Sequence, residues 1–188
     1  MLVVTPDLEG VDSAAIASDI VALAAGRVEL LEQSWSRFRP TSELNHLNAS
    51  AGSGPVRVSP DLLLLVDRMQ QAWAQSEGRF DPTVLSSMLA LGYDADFATV
   101  AARPASIAEV PSTPAPGMSA VQVDHADGTV SLPAGVGIDP GAIGKGLAAD
   151  IIVAELMAAG AAGVLVNLGG DLAFAGTTAD GSPWTIGV

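Results

Sequence analysis

Residues 136–176 read VGIDPGAIGKGLAADIIVAELMAAGAAGVLVNLGGDLAFAG, and this stretch holds the strongest structural signals in the chain. Its glycine-rich turn at 141–146 leads directly into a helical pattern. The apolar run 163–168 predicts a buried strand, and the pair Gly169-Gly170 interrupts the chain before a second strand begins. The stretch therefore predicts a tight turn, one helix and two strands.

Three further helices are predicted in the first half of the chain. A long core-packed helix starts at Asp12, a plausible N-cap, and a short helix is capped by Thr41 or Ser42. Ser59 precedes a proline at the first position of the third helix, and Gly78 stands where a C′ glycine is expected. Each of these signals is local and marks one end of a helix.

Strands and a surface connector are predicted in the second half. Asp127-Gly128 is typical of a hairpin turn between two alternating segments. Residues 94–118 are rich in alanine and proline, which predicts a partly helical surface connector, and residues 184–188, WTIGV, predict a final strand. A length of 188 residues predicts one domain, residues 1–188.

Composition and charge exclude several classes of function. Apolar residues make up 49% and charged residues 15%, which favours a folded chain over a disordered one. Lys and Arg number 8 against 21 Asp and Glu, so the net charge of −13 argues against nucleic acid as a partner and against an anionic membrane surface.

Metal chemistry and location are constrained by residue usage. The chain has no cysteine and only two histidines, His46 and His125, so any bound metal is expected to be a hard cation on oxygen ligands. The first residues, MLVVTPDLEGVDSAA, lack the charged and apolar regions of a secretory signal, and no apolar segment is long enough to insert into a membrane. We therefore expect a cytoplasmic protein.

The turn at 141–146 is a candidate anion site. A glycine-rich turn that opens a helix offers unpaired backbone N–H groups and the positive end of the helix dipole, for which phosphate is the natural ligand. The turn is not a P-loop, because Asp139 and Gly146 stand where that motif needs Gly and Ser or Thr. Lys145, the only lysine, would add a compact positive charge. A purely structural turn with a solvated Lys145 stays an open alternative.

Two other short motifs carry both a structural and a functional interpretation. Gly169-Gly170 permits a close backbone approach or a β-bulge, with Asp171 solvated at the strand edge. Asp81 lies directly before a proline, which favours an extended backbone, and Thr83 could cap the next helix. For each motif taken alone, the structural interpretation is the simpler one.

The stretch that begins at Phe38 is less specific. It could bring an aromatic ring and an arginine to a ligand, although Glu43 is equally explained as an acid in the first turn of a helix. His46 is expected to be a surface residue rather than a catalytic base. No single motif in the chain therefore identifies a function.

Four motifs taken together, and in this order, closely resemble the signatures of the ApbE family, the FAD:protein FMN transferases. They are SRFRPTSELNHLN at 36–48, GRFDPTV at 78–84, IDPGAIGKGLAAD at 138–150 and VNLGGDL at 166–172. The resemblance implies an α+β fold with a mixed sheet and packed helices, in a two-lobed, T-fold-like architecture with a flavin cleft. It also implies a magnesium-dependent transfer of FMN from FAD to a Ser or Thr hydroxyl of a target flavoprotein, with release of AMP.

The resemblance also implies roles for individual residues. By position, Phe38 matches an aromatic that lies against a ring of FAD, and Lys145 and Asp171 match catalytic residues. A main-chain carbonyl at Gly144 matches a ligand of Mg²⁺. The positions implied to bind FAD are Phe38, Ser42, Glu43, Phe80, Asp81, Thr83, Asp139, Gly141, Gly144, Lys145, Gly169 and Gly170.

The chain also departs from the family pattern. Family members continue beyond the strand matched by WTIGV into a segment with an Asp and a Thr that complete the Mg²⁺ site, and their N-terminal strand is missing here or reduced to residues 2–4. We therefore expect an incomplete domain without its C-terminal part, from a relative of a family whose members are often exported. The alternatives are a non-catalytic FAD-binding module, an FAD pyrophosphatase, and a generic α+β interaction domain.

Overall fold

A computed structural model of the chain describes residues 2–4, 13–95, 97–103 and 114–187. The predicted N-cap Asp12 and most of the connector's second half lie outside the described residues. The chain divides into two compact units, of which the first comprises Met1–Leu31 with Ile143–Val188 and the second comprises Glu32–Ala142. Of the helices that the structure describes, none has the length and apolar character needed to cross a membrane.

Helices and short strands alternate irregularly along the chain. In chain order the elements are β1 (Leu2–Val4), α1 (Ser13–Trp35), α2 (Glu43–Ala49), β2 (Val56–Arg57), α3 (Pro60–Gln75), α4 (Leu85–Ala90), α5 (Phe97–Ala101), β3 (Gln122–Asp124), β4 (Thr129–Ser131), α6 (Gly144–Ala158), β5 (Gly163–Leu168) and β6 (Asp171–Gly176). Two 3₁₀ turns, Pro82–Val84 and Met118–Ala120, complete the set. The predicted α+β class is confirmed.

The first unit packs helices against an antiparallel sheet with the strand order β1-β5-β6. Its core is formed by small and branched apolar side chains from α1, α6, β5 and β6, among them Ile20, Ala24, Ala149, Ile152, Leu156, Val164 and Val166. Burial of such side chains is the main stabilising term for a sheet of this size.

The second unit contains the other antiparallel sheet, with the strand order β2-β4-β3. The hairpin predicted at Asp127-Gly128 is confirmed, and Gly128 adopts a φ of 62°, which glycine tolerates without strain. Fully buried side chains from α2, α3, β4 and the 138–140 segment form the core: Leu44, Leu47, Leu62, Leu65, Met69, Val130 and Ile138. The described strands thus form two antiparallel sheets and not the one mixed sheet that was predicted.

The helix starts follow the predicted caps, and one helix end differs by a residue. Ser42, not Thr41, caps α2, and Ser59 caps α3 by accepting from the Leu62 N–H. At the other end of α3 the C′ position belongs to Glu77, with φ 55°, and Gly78 follows it with φ 77°. The Gly78 N–H donates to the carbonyl of Trp73 at 2.9 Å, the long bond of a Schellman motif.

The strand predicted for WTIGV is wrong for the described residues 184–187, which lie in irregular backbone. A strand needs a neighbouring backbone to satisfy its N–H and C=O groups, whereas this segment contacts β6 through a side chain. The indole N–H of Trp184 donates to the carbonyl of Ala175 at 3.0 Å. Upstream, Thr178 and Asp180 form a tight local turn instead of extending the sheet.

Candidate functional site

The loop before α2 presents Phe38 to solvent. The side-chain amide of Asn45 donates to the carbonyls of Ser36, Arg37 and Arg39 at 3.4, 3.0 and 2.8 Å. The two hydrogens of this amide are shared among three carbonyls and fix the path of the loop, and Phe38 remains 47% exposed. An aromatic side chain held in the open on an ordered loop is suited to stacking against a ligand ring.

Arg37 is the residue of this loop that the sequence analysis missed. Its Nε lies 3.2 Å from Oδ2 of Asp139, and its Nη1 donates to the carbonyl of Tyr93. Its guanidinium carbon lies 4.1 Å from the centroid of the Phe38 ring, within the range of a cation–π contact. The side chains of Arg37 and Asp139 are only 11% and 7% exposed, so this ion pair is buried.

Asp139 joins three predicted motifs within the second unit. Its Oδ1 accepts from the Gly141 N–H at 2.8 Å, and its own N–H donates to the carbonyl of Pro82 at 2.8 Å. A Cβ at Gly141 would lie 3.1 Å from that same Oδ1, so glycine permits the close approach. Arg37, Pro82 and Asp139 are hereafter the buried cluster.

Asn48 adds a further link to this part of the second unit. Its side-chain amide donates to the carbonyl of Ile138 at 3.0 Å and accepts from the N–H of the same residue at 2.9 Å. Both backbone groups of the residue before Asp139 are therefore satisfied by one side chain of α2. The first, second and third sequence motifs thus meet through hydrogen bonds and not only through apolar contact.

Asp81 and Thr83 are also occupied within the protein. Oδ1 of Asp81 accepts from the N–H and the hydroxyl of Thr83 at 2.9 and 2.6 Å. The Thr83 hydroxyl accepts in turn from the Gly117 N–H at 2.9 Å, and Thr83 is 1% exposed. The prediction that Thr83 caps the next helix is wrong, because Asp81 caps the 3₁₀ turn and α4 has no side-chain cap. Phe80 is half-buried beside them.

Glu43 connects two helix starts with the end of α1. Its carboxylate accepts from both the N–H and the hydroxyl of Ser59, and Oε2 also accepts from the Ser34 hydroxyl at 2.8 Å. Ser42 is 1% exposed, and its hydroxyl oxygen accepts a hydrogen bond from the N–H of Asn45. The polar atoms at both positions therefore already have partners within the protein. His46 is exposed, as predicted.

A second group of site residues lies in the first unit. Nζ of Lys145 lies 3.0 Å from Oδ2 of Asp171 and 3.5 Å from the carbonyl of Gly169, and the Lys145 and Asp171 side chains are 55% and 46% exposed. The Gly170 N–H donates to the side chain of Asn167 at 2.9 Å. Lys145, Gly169, Gly170 and Asp171 are hereafter the exposed cluster.

The turn within the exposed cluster differs from the prediction. Gly169 and Gly170 have φ of 64° and 103°, and Leu168 pairs with Asp171 across the turn. Two successive positive φ values between paired strands make a tight hairpin, so the predicted bulge is wrong. Asp171 begins β6 at the strand edge, as predicted, but it is paired with Lys145.

The start of α6 leaves backbone donors available. Ile143 is the N-cap and supplies no side-chain hydrogen bond, and the N–H of Leu147 is the first to bond within the helix, at 3.0 Å to the Ile143 carbonyl. The preceding N–H groups in the first turn are those that a helix cannot satisfy internally. They lie at the positive end of the helix dipole, on the same turn as Lys145.

The described residues do not fit a complete magnesium site. The carbonyl of Gly144 belongs to the first residue of α6, so the helix pattern directs it to an N–H four residues on and leaves one lone pair. In the described part of the chain, no group of three or more His, Asp or Glu side chains could hold a metal ion. Mg²⁺ prefers octahedral oxygen coordination with at least one carboxylate, which a lone carbonyl does not supply.

The structure thus brings the predicted residues into two groups. Phe38, Ser42, Glu43, Phe80, Asp81, Thr83, Asp139 and Gly141 lie in the second unit, whereas Gly144, Lys145, Gly169, Gly170 and Asp171 lie in the first. Residues adjacent in sequence explain most of the local geometry at these positions. Arg37, in contrast, is identified as a site residue only by its contacts in the structure. The presence of an arginine on each side of Phe38 is the one signal that could have suggested it.

Comparison with known proteins gives a consistent family. Residues 5–188 match the model of the ApbE family. The FAD:protein FMN transferase of Rhodobacter capsulatus is 31% identical over 173 residues, which cover 92% of this chain and 32% of that protein.

Solved structures show the same fold. The apo flavinyl transferase ApbE of Pseudomonas stutzeri matches with a TM-score of 0.74 at 24% identity, over 91% of this chain and 53% of that one. The flavin transferase ApbE of Vibrio cholerae matches with a TM-score of 0.75 at 22% identity, over 97% and 57% of the two chains. The chain therefore spans about a third of the curated relative and just over half of these solved chains.

Proposed function

This chain belongs to the ApbE family, and from that premise we propose that it takes part in transferring FMN from FAD to a Ser or Thr hydroxyl of a target flavoprotein. AMP is the other product of this reaction. The observation that carries the proposal is the exposed cluster, in which the only lysine stands at the uncapped start of α6 beside Asp171. That arrangement offers positive charge and backbone donors to a phosphate without a competing side-chain cap.

The exposed cluster is assigned the pyrophosphate of FAD. The first-turn N–H groups of α6, beginning at Gly144, and the Lys145 ammonium donate to its oxygens. The space beside Gly169 and Gly170 is open, since a Cβ at Gly170 would meet no atom within 4 Å and one at Gly169 would reach only the Lys145 side chain. In the second unit, Phe38 is assigned to a ring of a flavin nucleotide, which its exposure supports.

The other second-unit residues are assigned a positioning part in FAD binding. The side chains of Ser42, Glu43, Asp81, Thr83 and Asp139 already have hydrogen-bond partners inside the protein. They therefore contribute mainly by fixing the backbone that carries Phe38, Phe80 and Gly141. This assignment agrees with the low exposure of Ser42 and Thr83, 1% each.

The reaction is a phosphoryl-type transfer that needs little covalent chemistry from the protein. The acceptor oxygen forms a bond to the FMN phosphorus, and the bond from that phosphorus to the oxygen shared with AMP breaks. The acceptor's hydroxyl proton passes to the Asp171 carboxylate, and the AMP phosphate leaves with the bonding electron pair. Lys145 and the helix N–H groups stabilise the negative charge that develops on the phosphate oxygens.

The proposed reaction uses Mg²⁺, which needs more ligands than the described residues supply. The Gly144 carbonyl contributes at most one neutral oxygen, so we propose that the remaining ligands come from sequence that the longer relatives have beyond the matched part. Mg²⁺ bound there would supply Lewis-acid stabilisation of the pyrophosphate. The chain by itself is therefore expected to show weak Mg²⁺-dependent transfer.

The experiment combines the chain with FAD, Mg²⁺ and a threonine-containing acceptor protein, with and without the C-terminal segment of a full-length relative. Mass spectrometry detects FMN on the acceptor, and chromatography detects AMP. We expect equal amounts of both products once the segment is added. An acceptor with valine in place of the threonine is the matched control, and it should stay unmodified.

The other outcomes identify the alternatives. AMP release without a modified acceptor would indicate an FAD pyrophosphatase, and FAD binding without AMP would indicate a binding module. Full activity from the chain alone would contradict our interpretation of the metal ligands. Failure to bind FAD under any of these conditions would contradict the proposed function altogether.

A further inference from the structure

Arg37 makes three contacts in three directions from one planar group. The guanidinium reaches Asp139 by Nε, the Tyr93 carbonyl by Nη1 and the face of the Phe38 ring by its carbon. Arginine is suited to this because its donors and its stacking face are fixed in one rigid plane. A change in the Arg37 side chain would therefore disturb all three partners at once.

Two of these partners are themselves anchored. Asp139 is held by Gly141 and by its own N–H bond to Pro82. Arg103 orders the loop that carries Tyr93, because its Nη1 donates to the carbonyl of Gly92 at 3.1 Å and to Asp94. The hydrogen bond from Arg103 also lowers the pKa of the Asp94 carboxyl below its ordinary value.

The third partner, Phe38, is the exposed one. Phe38 is 47% exposed, and the Arg37 guanidinium lies over one face of its ring. The guanidinium therefore restricts the orientation of this exposed ring. A ring ordered before binding loses less conformational entropy when a flat ligand stacks on it.

We propose that Arg37 is a positioning residue that orders the Phe38 ring for a flat conjugated ligand, which under the proposed function is a ring of FAD. The proposal rests on that function for the identity of the ligand. A purely structural role for Arg37 would not depend on Phe38. The positioning role requires that a change of Arg37 weakens FAD binding only when the Phe38 ring is present. Positive charge alone is insufficient, since a lysine ammonium cannot serve the carboxylate, the carbonyl and the ring together.

A double-mutant cycle on FAD binding tests this coupling. We expect Arg37→Gln to raise the FAD dissociation constant about tenfold in the natural background. In a Phe38→Leu background the same change should raise it less than about twofold, because the ring it orders is gone. Arg37→Lys should not restore binding. Arg68→Gln, which removes an exposed positive charge of α3 away from this loop, is the matched control and should leave the constant unchanged.

A second variant guards against loss of folding. Arg37→Gln leaves the Asp139 carboxylate buried without its cation, which destabilises the protein. The pair Arg37→Gln/Asp139→Asn removes that charge, and it should show the same dependence on Phe38. Fluorine NMR of protein labelled with 4-fluorophenylalanine then reports ring order without ligand, with the Phe38 signal assigned by Phe38→Leu.

The outcomes separate the two proposals. A shifted or broadened Phe38 signal together with the coupled loss of FAD affinity would support the positioning role. If FAD binds and Arg37→Gln weakens it equally in both backgrounds, or if Arg37→Lys binds FAD normally, the positioning role is overturned and the FAD function stands. If the unmodified chain binds no FAD, both proposals fail.

Discussion

Asp139 and Asp171 both belong to the recognised motifs, yet their surroundings differ. Asp139 is 7% exposed and is held by Arg37, by the Gly141 N–H and through its own backbone. Asp171 is 46% exposed and faces Lys145 across 3.0 Å. The polar groups of the buried cluster are already bonded to other groups of the protein. The exposed cluster, in contrast, keeps hydrogen-bond donors that a ligand can use. Although both aspartates belong to recognised motifs, Asp139 therefore has a structural role, whereas Asp171 is available to a ligand.

The largest effect should come from breaking the buried ion pair. Asp139→Ala leaves the guanidinium of Arg37 desolvated and unpaired and should lower the free energy of unfolding by about 3 kcal/mol or more. Asp171→Ala, the matched change in the exposed cluster, should cost no more than about 0.5 kcal/mol. Urea denaturation of both variants measures the difference. Equal losses would remove the distinction between the two clusters.

Ligand binding should stabilise the chain through the exposed cluster. FAD with Mg²⁺ at 100 times its dissociation constant should add roughly 2.7 kcal/mol of stability and raise the melting temperature. Riboflavin, which has the flavin ring but no phosphate, should add much less at the same concentration. Thermal melts with each compound provide the comparison. An equal shift with riboflavin would contradict the assignment of the pyrophosphate to this cluster.

A smaller loss of the free energy of unfolding is expected at Thr83, a second buried polar residue whose hydrogen bonds lie within the protein. Thr83→Val keeps the shape of the side chain but removes the hydroxyl that bonds Asp81 and Gly117, so it should cost about 1–2 kcal/mol. Thr83→Ser retains the hydroxyl and should lose less. The measurement is again the free energy of unfolding. A Thr83→Val protein as stable as the natural one would show that the hydroxyl is not structural.

The elements that the sequence predicts best are those determined by adjacent residues. Ser59 with the following proline marks the start of α3, and Asp127-Gly128 marks the β3–β4 hairpin, because cap and turn preferences act within a few residues. The pair Gly169-Gly170 was recognised as a break, but glycine at positive φ serves bulges and hairpins alike. Only the pairing of β5 with β6 distinguishes them.

The failures involve partners far away in the chain. The alternation in WTIGV suits a strand, but a strand forms only against a neighbour, and residues 184–187 contact β6 through the indole of Trp184. Arg37 was missed for the same reason, since nothing near it in sequence reveals that Asp139 and the Tyr93 carbonyl lie within its reach. The order of the motifs identifies the family. It does not show which site residues already have hydrogen-bond partners within the protein.

The smallest change in stability should occur at Lys145. Because its side chain is 55% exposed, Lys145→Ala should alter the free energy of unfolding by no more than about 0.5 kcal/mol. Lys145→Arg keeps the charge and serves as the conservative comparison. Arg68→Ala, which removes an exposed cation elsewhere, is the control for net charge.

Calorimetric titration of the Lys145→Ala protein with FAD and with riboflavin tests the central claim most directly. Loss of a charge-assisted phosphate contact worth about 1.5–3 kcal/mol should raise the FAD dissociation constant by roughly 10- to 100-fold, while riboflavin binding stays unchanged. The ratio of the two dissociation constants should therefore collapse toward one. A ratio identical to that of the natural chain, in a folded Lys145→Ala protein, would contradict the account.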